Sequence, residues 1–389
     1  MIAVEDLHME RSLLSAKQNL LIGLCLLIAG VASGQDMTFS QYYFNRAMIN
    51  PSYVGESGSL TFSSVHKQQW TRLPDRTFND MHLSSVNAEI GCPRYNLAMG
   101  LNIQYTEEGA GRFSQLYGAY TISYNINGDW RKPIFRSFKR RKFIVSFGAQ
   151  IGVGQKMLDW SRLTFSDQFD PYTSIVTPSR IFTSGITDVS TMEPDLSFGL
   201  KIKTQLPNKR SSLSAGVALF HINKPKESFL YTDNRIPQRL SIHGFWYRKL
   251  KRKLYSKYPI FSKLGVAYNY HLPLGGISPP LAGSALVLSG LSVQQNDLDV
   301  GIRIDPIARD VTSIILVYLQ TIDEQWNLSF GMELNTSEFT FNQAGLTFDL
   351  GVTYTFKEVY ICKVKNKKRE WCHDAFSHNT FKYGPKYIF

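Results

Sequence analysis

Residues 143–153 read FIVSFGAQIGV. Phe143, Val145, Phe147, Ala149, Ile151 and Val153 interleave with Ile144, Ser146, Gly148, Gln150, Gly152 and Gly154. A period of two is the signature of an extended strand, whose successive side chains point to opposite faces. Here one face is apolar and the other mostly small or polar. The pattern returns at 97–106 (LAMGLNIQYT), where Leu97, Met99, Leu101, Ile103 and Tyr105 form the apolar set. It returns again at 346–356 (LTFDLGVTYTF), with Leu346, Phe348, Leu350, Val352, Tyr354 and Phe356 on one side and Thr347, Asp349, Gly351, Thr353 and Thr355 on the other.

Soluble sandwiches also alternate, so strand length decides between them and a membrane barrel. These runs cover about 10 to 14 residues, against roughly 5 or 6 in a typical soluble strand. Tilted strands that cross a bilayer need ~9–11 residues, apolar outward and polar inward. Aromatic residues stand at the ends of such runs (Tyr105, Tyr124, Trp246, Tyr318, Tyr354), as interfacial girdles require. The expected fold is all-β: an antiparallel outer-membrane β-barrel rather than a secreted sandwich.

Composition agrees. Of 389 residues, 43% are hydrophobic, 13% aromatic and only 19% charged, with 25 Phe, 20 Tyr and 28 Gly. Disorder needs few aromatics and much charge, so it is excluded, as are coiled coil and collagen. Arg11 and Lys17 precede an apolar run from Leu20 to Val31, closed by Ala32, Ser33 and Gly34. That order reads as a secretory signal peptide over 1–34, cut before Gln35, and the run is too short for the ~20 residues of a spanning helix. Cys25 lies within it without the small residues that lipoprotein processing needs. Cys92, Cys362 and Cys372 remain in the exported chain, an odd number. Cys362 and Cys372 are close enough in sequence to pair in an oxidising periplasm, with reduced thiols the alternative.

Candidate strands fall near 58–70, 78–90, 95–106, 113–126, 142–155, 192–203, 211–222, 238–248, 260–271, 284–295, 297–304, 311–320, 326–335 and 345–356, fourteen in all. An even count suits a bacterial single-chain barrel. The domains expected are a barrel over 58–356, a non-alternating N-terminal plug over 35–57 and a basic tail over 357–389. If both termini are periplasmic, the long link 156–191 lies outside the cell and the basic links 127–141 and 249–259 lie inside with the tail. A basic inner rim suits anionic head groups of the lipid bilayer or an acidic periplasmic partner. Nucleic acid is not expected as a partner of an envelope protein, despite a formal charge of +12.

Chemistry-bearing motifs are sparse. His82 and Ser84 share one strand face, a pairing that outer-membrane phospholipases use with an orienting Asn or Asp, and Asn79, Asp80 and Asn87 are near. Such a pair is common by chance. Glu107-Glu108, read as loop residues beside Gly109, are candidates for a weak calcium site, and so are Asp159, Asp167 and Asp170 in the longest link. Packing of that link by Trp160, Leu163, Phe165 and Phe169 is the plainer reading. No phosphate loop or dinucleotide fingerprint is present. No catalytic residue, metal or cofactor is expected.

The segment after Gln35 is the most specific feature. Asp36, Phe39-Ser40-Gln41-Tyr42, Asn45 and Asn50-Pro51-Ser52-Tyr53-Val54-Gly55 resemble the opening of the PorP/SprF family of the type IX secretion and gliding machinery of Bacteroidota. Gln69-Trp70, Gly154-Gln155, Asp159-Trp160-Ser161, Phe165 to Gln168 and Thr353 to Phe356 extend the resemblance along the chain. Met37 and Ser52 stand where the family commonly has Pro and Ala. The resemblance implies a FadL-like barrel of fourteen strands with no catalytic role. It further implies export or anchoring of a large secreted adhesin-like cargo with a C-terminal secretion signal, or contact with periplasmic ring components. Residues 36–70 of this motif set are then plug or partner-binding residues. A transporter or porin for small solutes, hydrophobic ones included, is the alternative that the residues themselves leave open.

Overall fold

The computed structural model describes residues 39–41, 45–56, 58–71, 81–92, 95–130, 141–163, 165–168, 189–190, 192–206, 211–226, 229, 235–249, 260–272, 283–293, 296–305, 310–320, 325–335, 345–356, 359 and 361. Two short 3-10 turns, Arg46–Met48 and Pro51–Tyr53, precede the first strand. Fourteen strands follow: β1 (Thr61–Gln69), β2 (Met81–Cys92), β3 (Leu97–Glu108), β4 (Phe113–Trp130), β5 (Arg141–Met157), β6 (Pro194–Gln205) and β7 (Ser211–Phe220) make the first half. The second half is β8 (Arg239–Lys249), β9 (Ile260–His271), β10 (Gly283–Val293), β11 (Asn296–Asp305), β12 (Asp310–Gln320), β13 (Trp326–Asn335) and β14 (Leu346–Thr355). Each expected strand is present. The largest departure is β4, expected to end at 126, which continues to Trp130 as a ribbon with β5 down to Trp130↔Arg141.

Every strand pairs antiparallel with its sequence neighbour, and β1 closes on β14 from Thr61↔Thr355 to Gln68↔Phe348, so the sheet has no free edge. Closure matters because an open edge in hydrocarbon would leave backbone groups unpaired. Among the described residues no helix is long and apolar enough to cross a membrane.

The two faces of the sheet sort as the alternation requires. On β14 the buried residues are Thr347, Asp349, Gly351 and Thr353, while Leu350 and Val352 are exposed. On β6 they are Asp195, Ser197, Gly199 and Lys201, against exposed Leu196, Phe198 and Ile202. Polar inside and apolar outside inverts a water-soluble protein and is what a lipid-facing barrel needs. At the rim where the chain enters β1 and leaves β14, Phe62, Trp326, Tyr354 and Phe356 form an aromatic cluster, with Trp326 and Tyr354 ring centres 4.6 Å apart and Tyr354 and Phe356 4.7 Å apart. This is the terminal rim of the barrel.

Cys92, the last residue of β2, is disulfide-bonded. Its partner is among Cys25, Cys362 and Cys372, which lie outside the described residues. Spacing alone did not single out Cys92. The expected signal peptide, most of the tail and the basic link 131–140 also lie outside the described residues.

Candidate functional site: the inner wall and residues 39–59

The buried face of the strands does not enclose water alone. Residues 39–41 and 45–56 touch it around the circumference. The Ser40 N–H donates to Asp349 Oδ2 at 3.3 Å, and Gln41 Nε2 donates to the Asp349 carbonyl at 3.0 Å, both on β14. Ser329 of β13 donates to Gln41 Oε1, and Arg303 of β11 donates to Ser40 Oγ at 2.6 Å. Asn45 Nδ2 reaches Ser85 of β2 at 2.7 Å, and Arg239 of β8 donates to the Met48 carbonyl at 3.0 Å. Further on, Tyr53 meets Ser214 of β7 at 3.2 Å, and Ser123 of β4 donates to the Val54 carbonyl at 2.7 Å.

Asn50-Pro51 is the most constrained part. The Asn50 side chain caps its own 3-10 turn through Oδ1, which accepts from the Ser52 N–H at 2.9 Å. Its Nδ2 donates to the Leu200 carbonyl on β6 at 3.0 Å and the Val217 carbonyl on β7 at 3.2 Å. Pro51 occupies the first position of the turn, where its fixed φ fits and its missing N–H costs nothing. The wall makes room: Gly148 and Gly199 face each other across the β5–β6 ladder, and a β-carbon on Gly148 would lie 2.2 Å from the Ser52 nitrogen. Gly55 then turns the chain with φ +74°, a conformation that costs L side chains energy. Its N–H donates to Glu89 Oε2 at 2.8 Å.

Charge is buried along with this segment. Glu56, 3% exposed, accepts from Lys203 Nζ at 2.8 Å and lies 3.7 Å from Lys201 Nζ. Burial pushes the Glu56 carboxyl up, but Lys201, Lys203 and Arg46 together outweigh it and hold it below its ordinary value. Burial also raises the Tyr53 hydroxyl, with the Glu56 charge adding to it, so the phenol stays neutral under the Lys201 ammonium, 4.2 Å from its ring centre. A second cluster sits beside Ser40: Lys67 Nζ is 2.9 Å from Glu333 Oε1, and Arg303 is 3.4 Å from the other oxygen. Phe39 anchors an apolar patch with Tyr53, Val65, Leu83, Phe245, Leu288, Ile314 and Leu316.

Of the motif residues expected to act together, Phe39, Ser40, Gln41, Asn45, Asn50, Pro51 and Gly55 share this inner wall, each buried. Asp36 and Tyr42 lie outside the described residues. Gln69 and Trp70 stand apart, at the end of β1 away from the terminal rim. Sequence reading missed Glu56, Lys201, Glu333 and Asp349. The available signal was a charge at inward parity, as with Asp349 between Thr347 and Gly351. Beyond Met48 a cavity of about 160 Å³ remains, lined by Gln104, Gln115, Tyr117, Gln150 and Arg239 among others.

The chemistry-bearing motifs meet other partners in the structure. Ser84 Oγ pairs with His66 Nδ1 at 2.8 Å across the β1–β2 ladder, not with His82. Glu107 and Glu108 end strand β3 instead of lying in a loop, and Glu107 accepts from the Tyr105 hydroxyl at 2.7 Å. Asp159 caps the turn Trp160–Arg162 and receives Arg162 Nε at 2.9 Å. The Ser161 hydroxyl that donates to it is the main cause of a lowered carboxyl pKa. Trp160 and Phe165 stack at 6.5 Å, as expected of a self-packed link, while Asp170 and Phe169 lie outside the described residues. Among the described residues no group of His, Cys, Asp and Glu is arranged to hold a metal ion.

A family model described as type IX secretion system membrane protein PorP/SprF matches residues 31–354, from ahead of the inner segment into β14. The chain belongs to the PorP/SprF family. No curated protein matches it. Among solved structures, this PorP/SprF barrel is similar to a bacterial polysaccharide outer-membrane secretin at 9% identity and TM-score 0.34, over 77% of this chain and 99% of that one. It is similar to the outer-membrane protein Omp33 of Acinetobacter baumannii at 7% identity and TM-score 0.32, over 77% and 100%. CdiB from Acinetobacter baumannii follows at 9% identity and TM-score 0.37, over 77% and 60%.

Proposed function

We propose that this PorP/SprF barrel is a non-catalytic outer-membrane component of type IX secretion. In this reading it binds a large, adhesin-like secreted protein carrying a C-terminal secretion signal and helps to export or anchor it. Residues 35–57 act as a built-in plug, and both termini face the periplasm, where the basic terminal rim meets periplasmic ring components or phospholipid head groups. A FadL-like relationship is supported by the fourteen strands and the inserted N-terminal segment.

The observation that carries the reading is the set of bonds from residues 40–56 to β2, β4, β6, β7, β8, β11, β13 and β14. A segment held from all sides at buried polar atoms is part of the fold, not a passing occupant. With this segment as a plug, the rims and the outer face become the working surfaces. A solute transporter, by contrast, needs a clear path.

Two measurements test this. In planar bilayers the intact protein is expected to stay closed, and steady conductance without a partner would instead support the solute channel. Tagged protein extracted from native outer membranes in mild detergent is expected to bring down one very large secreted protein in fixed stoichiometry. A barrel that reproducibly arrives alone would remove the cargo role.

A further inference from the structure

The outward face of β1 is unlike that of the other walls. Phe62, 45% exposed, belongs to the aromatic cluster of the terminal rim, and Trp70 stands at the other end of the strand. Between them the outward residues are Ser64, His66 and Gln68, all polar. At roughly 3.3 Å per residue this stripe runs about 13 Å along a membrane-crossing strand. It continues onto β2, where His66 faces Ser84 and Gln68 faces His82. His66 hydrogen-bonds Ser84 and stacks on His82, ring centres 5.7 Å apart.

Its surroundings are lipid-facing. Ser64 pairs with Val352 and Val86, 40% and 53% exposed, and His66 pairs with Leu350, 55% exposed. On β11, four strands round the barrel from β1, the outward residues are Leu298, Val300, Ile302 and Ile304, all exposed. Imidazoles and amides facing hydrocarbon are costly, and such residues in membrane segments turn toward polar company.

We infer that the outer face of β1 with the adjoining half of β2 is a lateral interface for a second, different membrane-embedded protein, one that presents polar hydrogen-bonding groups to His66 and His82. Acyl chains offer no acceptor. Lipid head groups lie at rim level, not along the length of a strand. A second copy of this chain would set imidazoles against imidazoles and bring another +12 of charge beside the first. A partner bearing hydroxyl, carbonyl or carboxylate groups fits the stripe. The apolar flanks Val86, Leu350 and Val352 then supply ordinary membrane packing around a polar centre.

Site-specific photocrosslinking in the native outer membrane tests this. A benzophenone side chain is placed at Ser64 of the full-length protein, and at Val300 of β11 as a control on a wholly apolar wall. Heat-modifiable gel mobility checks that each barrel folds, and Gln68 replaces Ser64 as the probe position if the first variant does not. The expected result is one ultraviolet-dependent adduct from the β1 position and none from Val300, with the crosslinked peptide lying in a membrane-spanning segment of one partner. His66→Leu is expected to weaken that adduct about tenfold, the worth of one well-made hydrogen bond. Three outcomes would overturn the inference: adducts to lipid alone, an adduct of twice the chain mass, or an adduct indifferent to His66→Leu.

Discussion

Asn50 and Gly199 are fitted to each other: a β-carbon on Gly199 would lie 1.9 Å from Asn50 Oδ1. Two elements far apart in sequence therefore specify one contact, the inner segment through an amide and β6 through the absence of a side chain. Gly199→Val is expected to displace Asn50-Pro51 without altering the lipid face, at the ~1–3 kcal/mol typical of overpacking. Asn50→Ala removes two bonds to strand carbonyls and the cap on the Pro51–Tyr53 turn, with a similar loss. Both variants are expected to keep barrel mobility on gels yet show intermittent conductance in planar bilayers, where the parent stays closed.

Gly55 and Gly109 separate two costs of adding a methyl group. Both have positive φ, +74° and +72°. A β-carbon at Gly55 would lie 2.0 Å from the Ala98 β-carbon, while at Gly109 nothing lies within 4 Å. Gly109→Ala is expected to lose only the ~1–2 kcal/mol of the left-handed backbone. Gly55→Ala is expected to lose clearly more, because Ala98 is backed by the barrel wall. Thermal unfolding of the two variants in the same detergent measures the difference. Equal midpoints would mean that the chain at Gly55 is not seated against β3.

Much of this architecture was legible in residues such as those of 346–356, because a barrel strand writes its environment as a period of two. Strand number and approximate bounds follow from that alternation and from strand length, whereas the pairing register comes only from the closed sheet. The inner segment was legible only in part. Asn50-Pro51 announces a turn, but nothing local to it reveals that Gly148 and Gly199 leave room for it, since those contacts span about a hundred and about a hundred and fifty residues of chain. The ion pairs were hidden for the same reason. Lys67 and Glu333 each look like a solvated strand charge until closure sets β1 beside β14, one strand from β13. Ser84 was read with the histidine nearest in sequence, whereas the sheet supplies one from the neighbouring strand.

Glu56 predicts an acid-sensitive seat for the inner segment. Its carboxyl pKa is lowered in the folded protein, so the charge contributes stability above the unfolded value of about 4.3, and that contribution is lost as pH falls through the folded value. Hydrogen exchange of the backbone over residues 45–56 is expected to be constant from pH 7 to pH 5 once intrinsic rates are corrected, then to accelerate below about pH 4. Glu56→Gln withdraws the carboxylate that Lys201 and Lys203 share. It is expected to expose the segment already at pH 7, by about 3–5 kcal/mol, and to flatten the acid response. An unchanged acid profile in Glu56→Gln would assign the sensitivity to another carboxylate.

The disulfide at Cys92 makes a claim about the tail. After β14 the chain stays against the terminal rim: Leu60 donates its N–H to the Val359 carbonyl at 2.8 Å, and Ile361 donates to the Gly91 carbonyl at 3.1 Å. Gly91 directly precedes Cys92, and the residue after Ile361 is Cys362. The bond is therefore expected to join Cys92 to Cys362, fixing the start of the basic tail to the β2–β3 turn and leaving Cys372 as a thiol. Peptide mapping of the mature, non-reduced protein checks the pairing directly. Alkylation under denaturing conditions is expected to label one thiol per chain before reduction and three after it. In Cys92→Ser the expected labelling before reduction is two. A Cys362–Cys372 bond in that variant would mean that the tail cysteines pair by default and that Cys92 normally competes for one of them.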